Sequence, residues 1–174
     1  MKVEELMTRE VATCRSDDML NRAAELMWNR DCGCVPVVDE EKHVVGMITD
    51  RDICMAAYTR GSRLADLRVA DAMARQVESC WNTDDIGTAE EMMRTRRVRR
   101  LPVLASDRRL AGVLSLNDIA REAARERRLQ LGDVTLDEVA GTLAGVCQPH
   151  AEVVPSIRRP SRDAAKTAAP MQRT

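Results

Sequence analysis

The chain has no phenylalanine, one tyrosine and two tryptophans among its 174 residues. A platform that stacks successive bases of single-stranded nucleic acid needs repeated aromatic rings, so the composition speaks against that mode of binding. Histidine is nearly as scarce, with two residues, and no Ser-His-Asp, Cys-His or paired-carboxylate set is discernible. The expectation is a protein that is not an enzyme. A formal net charge of −1 supplies no global field toward nucleic acid or membrane. No apolar run approaches the roughly 20 residues of a membrane span. The first six residues carry Glu4 and Glu5 where a signal peptide needs an apolar stretch. A soluble, cytoplasmic protein follows as the expectation, and in that setting the six cysteines are expected as thiols. Proline is sparse in the body of the chain: of six, only Pro36 and Pro102 precede residue 149.

Those two prolines stand 66 residues apart, and so does much else. Gly46-Met47-Ile48-Thr49-Asp50-Arg51-Asp52 is answered by Gly112-Val113-Leu114-Ser115-Leu116-Asn117-Asp118 at the same offset, which aligns residues 3–54 with 69–120 without a gap. Met7/Met73, Cys14/Cys80, Met27/Met93 and Val37/Val103 are among the identical pairs. The chain is an internal tandem repeat. Each copy is only about 55 to 60 residues, a size at which a single core is marginal, so the halves are expected to pack on one another.

Hydrophobic periodicity gives each copy the order β-α-β-β-α. In the first, residues 3–7 read as a lead-in helix and 11–14 as a strand. Asp17 and Asp18 are placed to start a helix with Leu20, Ala23, Ala24 and Met27 on one face. A strand follows over 34–38, a turn over 39–42, a strand over 43–49 and a helix over 50–57. The second copy repeats this with strand 77–80, helix 85–95, strands 101–104 and 109–114, and a longer closing helix from Leu116 to about Arg128. The units are expected at 1–60 and 69–128, joined by a connector over 61–68. A C-terminal helix is expected within 129–148, capped by Thr135 with Glu138 and carrying Leu136, Val139, Leu143 and Val146 on its docking side. Residues 149–174, rich in Pro, Ala, Arg and Ser, read as a disordered tail containing no periodic apolar pattern.

Chemistry concentrates where the repeated glycine-led strand runs into a helix. At such a junction free N–H groups and the positive end of the helix dipole favour a polyol or phosphate. Two readings of Thr49-x-x-Asp52 stand side by side: a capping box, or a carboxylate that accepts both hydroxyls of a ribose beside a hydroxyl at the sugar or phosphate. Ser115 and Asp118 repeat the choice.

Three other features have structural as well as functional readings. The basic run from Arg94 to Arg100 fits a solvated helix end, a phosphate contact or a nucleic-acid contact. Cys32-Gly33-Cys34, with His43 on the neighbouring strand, suggests buried structural thiols, a redox-responsive Cys32, or a metal; the C-x-C spacing lacks a second pair. The ten methionines fall mainly on apolar helix faces and read as packing rather than metal ligands.

Tandem β-α-β-β-α units with a proline strand and a Gly-hydrophobic-hydrophobic-Thr/Ser-x-x-Asp ending resemble a pair of cystathionine-β-synthase (CBS) domains. The matching residues are Pro36, Gly46, Thr49, Asp52, Pro102, Gly112, Ser115 and Asp118. The resemblance implies an α/β (α+β) fold, a pseudo-twofold module with two clefts for AMP, ADP, ATP or S-adenosylmethionine, no required cofactor, and a homodimer formed through helices. Because such modules regulate an attached enzyme, transporter or channel and the sequence shows none, it implies a separate, unidentified regulated protein. By position, Asp52 and Asp118 would hold ribose with Thr49 and Ser115 beside them, and Thr13 and Ser79 would line the base. Residues ahead of the proline strand would face phosphate. There the copies differ: Arg97, Arg99 and Arg100 in the second stand where the first has Asp31, Gly33 and Cys34. The second unit is therefore expected to contribute most to phosphate binding, and a site near the first to take a less anionic ligand or none. The alternative is a dimeric interaction or stress scaffold that binds no nucleotide, in which the cap is the whole role of Thr49 and Ser115.

Overall fold

The computed structural model describes residues 1–129 and 134–147. Helices α1 (Val3–Leu6) and α2 (Leu20–Asn29) precede an antiparallel pair, β1 (Cys34–Val38) and β2 (Val44–Thr49), and α3 (Asp50–Arg60). Two 3-10 turns, Leu64–Asp66 and Val69–Asp71, lead into the second half. It comprises β3 (Cys80–Trp81), α4 (Ile86–Arg96), β4 (Arg100–Leu104), β5 (Leu110–Ser115) and α5 (Leu116–Leu129), after which α6 (Leu136–Val146) closes the described chain. β1 pairs with β2, and β3-β4-β5 form the second sheet, with β3 parallel to β4. This is the α+β repeat read from the sequence. The tail expected over 149–174, His150 included, lies outside the described residues.

The repeat extends to the backbone. Asp31 and Arg97, 66 residues apart, both adopt positive φ after their helices, and Lys42 and Arg108 do so in the two hairpin turns. Contacts between the halves obey the same offset. Thr8 bridges Val113 while Ala74 bridges Met47, Lys2 bridges Asp85 while Met19 bridges Arg68, and His43 meets its own counterpart Arg109. These reciprocal pairs are the pseudo-twofold relation in hydrogen bonds.

Its consequence is an exchange of lead-in segments. Val3 and Met7 are buried in the core built on α4, β4, β5 and α5, whereas Leu67, Val69 and Met73 complete the core built on α2, β1, β2 and α3. Burying side chains of this size removes each from water at a gain of about 1.5–3 kcal/mol. The glycine of each motif marks the crossing. A Cβ on Gly112 would stand 2.6 Å from the Thr8 carbonyl oxygen, and one on Gly46 2.6 Å from Met73 Sδ and 3.0 Å from the Ala74 carbonyl oxygen. No other residue permits that approach.

Three sequence readings change. Residues 11–14 are not a strand: only Cys14 reaches β1, its N–H donating to the Pro36 carbonyl at 3.1 Å and its carbonyl accepting from Val38 N–H at 3.0 Å. The preceding residues run from Thr8, paired with the other half, back to their own sheet. In the second copy, likewise, the strand expected over 77–80 shrinks to β3. Asp18 does not cap α2, whose N-cap is Met19; its carboxylate accepts from Arg15 N–H at 2.8 Å in the preceding turn. Finally, α6 has the expected Thr135–Glu138 box, with Glu138 N–H donating to Thr135 Oγ1 at 3.2 Å and Thr135 N–H to Glu138 at 2.8 Å. Yet the helix is rotated from the expected face. Thr142 and Val146 are buried and Val139 packs beside them, whereas Leu136 and Leu143 are 40% and 46% exposed. On the buried side Gly145 sits so close to Arg94 that a Cβ there would collide with the Arg94 side chain.

Candidate functional site

Each motif residue stands where β2 or β5 ends and a helix starts. Thr49 is extended and N-caps α3, accepting from Asp52 N–H at 3.2 Å, and Asp52 Oδ2 accepts from Thr49 N–H at 3.0 Å and from Thr49 Oγ1 at 2.7 Å. Ser115 and Asp118 reproduce this, at 2.9 Å and 2.6 Å to Asp118 Oδ2. The capping reading and the ligand reading therefore use different oxygens. Oδ2 is spent on the cap in both copies. Asp52 Oδ1 makes no hydrogen bond among the described residues, whereas Asp118 Oδ1 is bound by the Arg121 guanidinium and its side chain is buried.

Two clefts open at these junctions. The first, about 570 Å³, is lined by Thr49, Arg51 and Asp52, by residues 76–78 of the second half, and by Arg97, Arg99 and Arg100. Val146 and Cys147 at the end of α6 form part of its wall. The second, about 430 Å³, is lined by Ser115, Asn117, Asp118 and Arg121, by Thr8 and residues 10–12 of the first half, by residues 30–34, and again by Arg100. Each cleft thus joins the motif of one copy to the segment ahead of the proline strand of the other.

The sequence places the arginines in the second unit without saying which motif they meet. Arg97 and Arg99 do not face Ser115 and Asp118 of their own copy; they face Thr49 and Asp52, while Arg100, like Cys34, lines both clefts. Asp31 and Cys34 correspondingly face Asp118. The swap follows from the pseudo-twofold packing, which lays each copy's motif against its partner. Thr13 is exposed and lines neither cleft, its place being taken by Val11 and Ala12. Ser79 lines a separate cavity of about 400 Å³ with His43, Arg75, Val77 and Arg108, while Val77 and Glu78 reach the first cleft. Sequence reading missed Arg51, Gln76, Glu78, Arg121, Val146 and Cys147. The constant offset could have found the first-strand neighbours, since 10–12 and 76–78 are equivalent positions; nothing local announces the end of α6.

The basic run divides. Arg94 pairs with Glu91, and Arg96 lies 3.4 Å from Glu78, as a solvated helix end would have it. Arg97 closes α4 with φ 55°, a conformation glycine usually takes, and turns the chain into the cleft. Arg99 donates to Cys147 Sγ at 3.6 Å.

Three of the six cysteines, Cys14, Cys34 and Cys80, are buried thiols poorly suited to ligation or nucleophilic chemistry. Burial pushes the Cys14 thiol up to about 12 with Asp18 adding to it, and Cys80 up to about 12 with Asp84 adding to it. Burial likewise pushes Cys34 up to about 11 against the pull of Arg100. His43 is not beside Cys32 and Cys34: the β1–β2 register puts Cys34 opposite Thr49 and leaves His43 at the other, turn end of the hairpin. There Asp39, Glu41 and His43 bring their donor atoms within 4.8 Å of one another, the one such group among the described residues. Asp39 already accepts from His43 N–H at 2.8 Å. No described helix is long and apolar enough to cross a membrane.

Comparison with known proteins agrees with this geometry. The chain is 32% identical over 118 residues to the CBS domain-containing protein YhcV of Bacillus subtilis, covering 68% of this chain and 82% of that one. In structure it is similar to CBSX2 in complex with AMP, with TM-score 0.64, 22% identity, and 73% of this chain and 98% of that one covered. It is also similar to the CBS domain pair of protein MJ0100 in complex with 5'-methylthioadenosine and S-adenosyl-L-methionine, with TM-score 0.65, 22% identity, and 72% and 98% covered. The CBS domain profile matches twice, over residues 3–58 and 69–125, so the chain belongs to the CBS domain family and carries a tandem pair.

Proposed function

We propose that this protein is a regulatory module that binds an adenosine-containing ligand, AMP, ADP, ATP or S-adenosylmethionine, and acts on a separate protein. The observation that carries it is the first cleft, of about 570 Å³, whose lining joins Asp52, with an Oδ1 that makes no hydrogen bond among the described residues, to Arg97, Arg99 and Arg100. That volume lies within the range of small-ligand sites. A carboxylate for two ribose hydroxyls opposite guanidinium groups for phosphate is the polarity of a nucleotide. In the second cleft Arg121 already holds Asp118, so the first is the main site. CBSX2 with AMP and MJ0100 with S-adenosylmethionine supply the precedent for ligands of this class. Thr49 and Ser115 orient the carboxylates, and Val77 and Val11, not Ser79 and Thr13, are the base-side candidates.

The active form is a cytoplasmic homodimer, and no catalytic step, metal or nucleic acid enters. Control of the partner is as large as the ligand's differential affinity for two states of the module. A second reading, the dimeric scaffold that binds no nucleotide, draws on the caps: both Oδ2 atoms are satisfied without a ligand.

Thermal unfolding with each candidate ligand separates the two. At about 100 times its dissociation constant the ligand stabilises the fold by roughly 2.7 kcal/mol. Asp52→Ala is expected to abolish most of that shift, and Arg100→Ala to weaken it. No shift with any adenine compound favours the scaffold.

A further inference from the structure

The first cleft has a wall that the repeat does not provide. Helix α6 packs on α4 and α5, and its last turn brings Val146 and Cys147 to the cleft lined by Asp52 and the arginines. Cys147 Sγ accepts from Arg99, so the end of the helix holds one of the phosphate-facing side chains in place. Among the described residues, no such element lines the second cleft.

Helix α6 is seated across both α4 and α5. It rests on Val139, Thr142 and Val146, and on Gly145 lodged against Arg94, while Leu136 and Leu143 stay exposed. Beneath it on α4, Glu90 is 8% exposed and its Oε1 has no hydrogen-bond partner. An orphaned buried carboxylate oxygen weakens any interface that contains it. A helix docked over such a group carries a penalty for staying docked that the rest of the core does not.

Building on the nucleotide reading, we propose that α6 is a clasp for the first cleft: a nucleotide held between Asp52 and the arginines binds the form with α6 docked more tightly than the form with α6 released. Val146 and Cys147 then act as ligand-cleft residues, Arg99 is positioned through Cys147, and α6 is the element by which occupancy is displayed to a partner. Loading seats the helix; emptying frees it together with its apolar stripe.

The experiment is hydrogen exchange of the amides of residues 136–146 in the full chain, with and without AMP and ATP, alongside calorimetric affinities for wild type, Gly145→Leu, Asp52→Ala and Asp118→Ala. Leucine is a better helix former than glycine, so Gly145→Leu strikes the seat on Arg94 without weakening the helix. Slower exchange in α6 on nucleotide binding, with an affinity reduced roughly fivefold or more in Gly145→Leu, is the expected result. Unchanged α6 exchange in a wild-type protein shown to bind nucleotide overturns the clasp and leaves the nucleotide reading intact. So does wild-type affinity in Gly145→Leu with its helix open, and so does binding that Asp118→Ala abolishes and Asp52→Ala does not. If AMP and ATP fail to bind wild type and ADP and S-adenosylmethionine, tried in the same way, fail as well, both readings fall together.

Discussion

Asp52 and Asp118 are the same residue type at equivalent positions, yet they offer different chemistry because of what stands one helical turn on. Arg121 neutralises Asp118, whereas the equivalent of Arg121 in the first copy is Met55. The capping half of each motif was legible in the sequence, since an i to i+3 contact is settled by local geometry. The partner across the cleft was not, because it arises from how two copies face each other. Glu90 belongs to the same scale. Burial, then the charge of Glu138, hold its carboxyl above the ordinary range, with Arg94 pulling the other way. A carboxyl so raised is protonated more readily in the folded than in the unfolded chain, so its contribution is most favourable at acid pH and is lost as pH rises from the ordinary carboxylate range through the folded value. Glu90→Gln removes that loss. Its melting temperature is expected to exceed wild type at pH 7.5 and to approach it at pH 4; an equal difference at both pH values would contradict the assignment.

Among the elements, α6 is the most instructive. Its start could be read from Thr135 and Glu138, but its rotation could not: heptad-spaced Leu136 and Leu143 look like a core stripe, yet the side that packs is the one carrying Thr142, Gly145 and Val146. Leu143→Ala is expected to change stability by no more than about 0.5 kcal/mol, whereas Val146→Ala, at a buried position, is expected to cost about 1–2 kcal/mol. Chemical denaturation of the two variants decides between the observed face and the one drawn from the sequence. The first strands failed for a related reason. Residues 11–14 have strand composition, but the chain there is drawn between the two halves and meets a partner only at Cys14.

For the molecule as a whole, the decisive feature is that each half is finished by a segment from the other. The repeat and its offset were plain in the sequence, and so was the need for the halves to pack. Which lead-in joined which core was not, because both copies carry the same Val and Met at that place and periodicity treats them alike. Gly112→Ala tests the crossing: its Cβ would press on the Thr8 carbonyl, and a loss of about 1–3 kcal/mol is expected. Gly87→Ala, in open space within α4, serves as the control and is expected to match or exceed wild type. The exchange also shapes how the protein is born. Val3 and Met7 leave the ribosome well before their seat, which is complete only after Ile119 has emerged, and at about 5–20 residues per second that is a wait on the order of ten seconds. Through that interval the nascent chain trails an unburied hook. On a crowded messenger the second half of a neighbouring copy offers the same seat, so the step most exposed to error in making this protein is the capture of one copy's first lead-in segment by the second half of another.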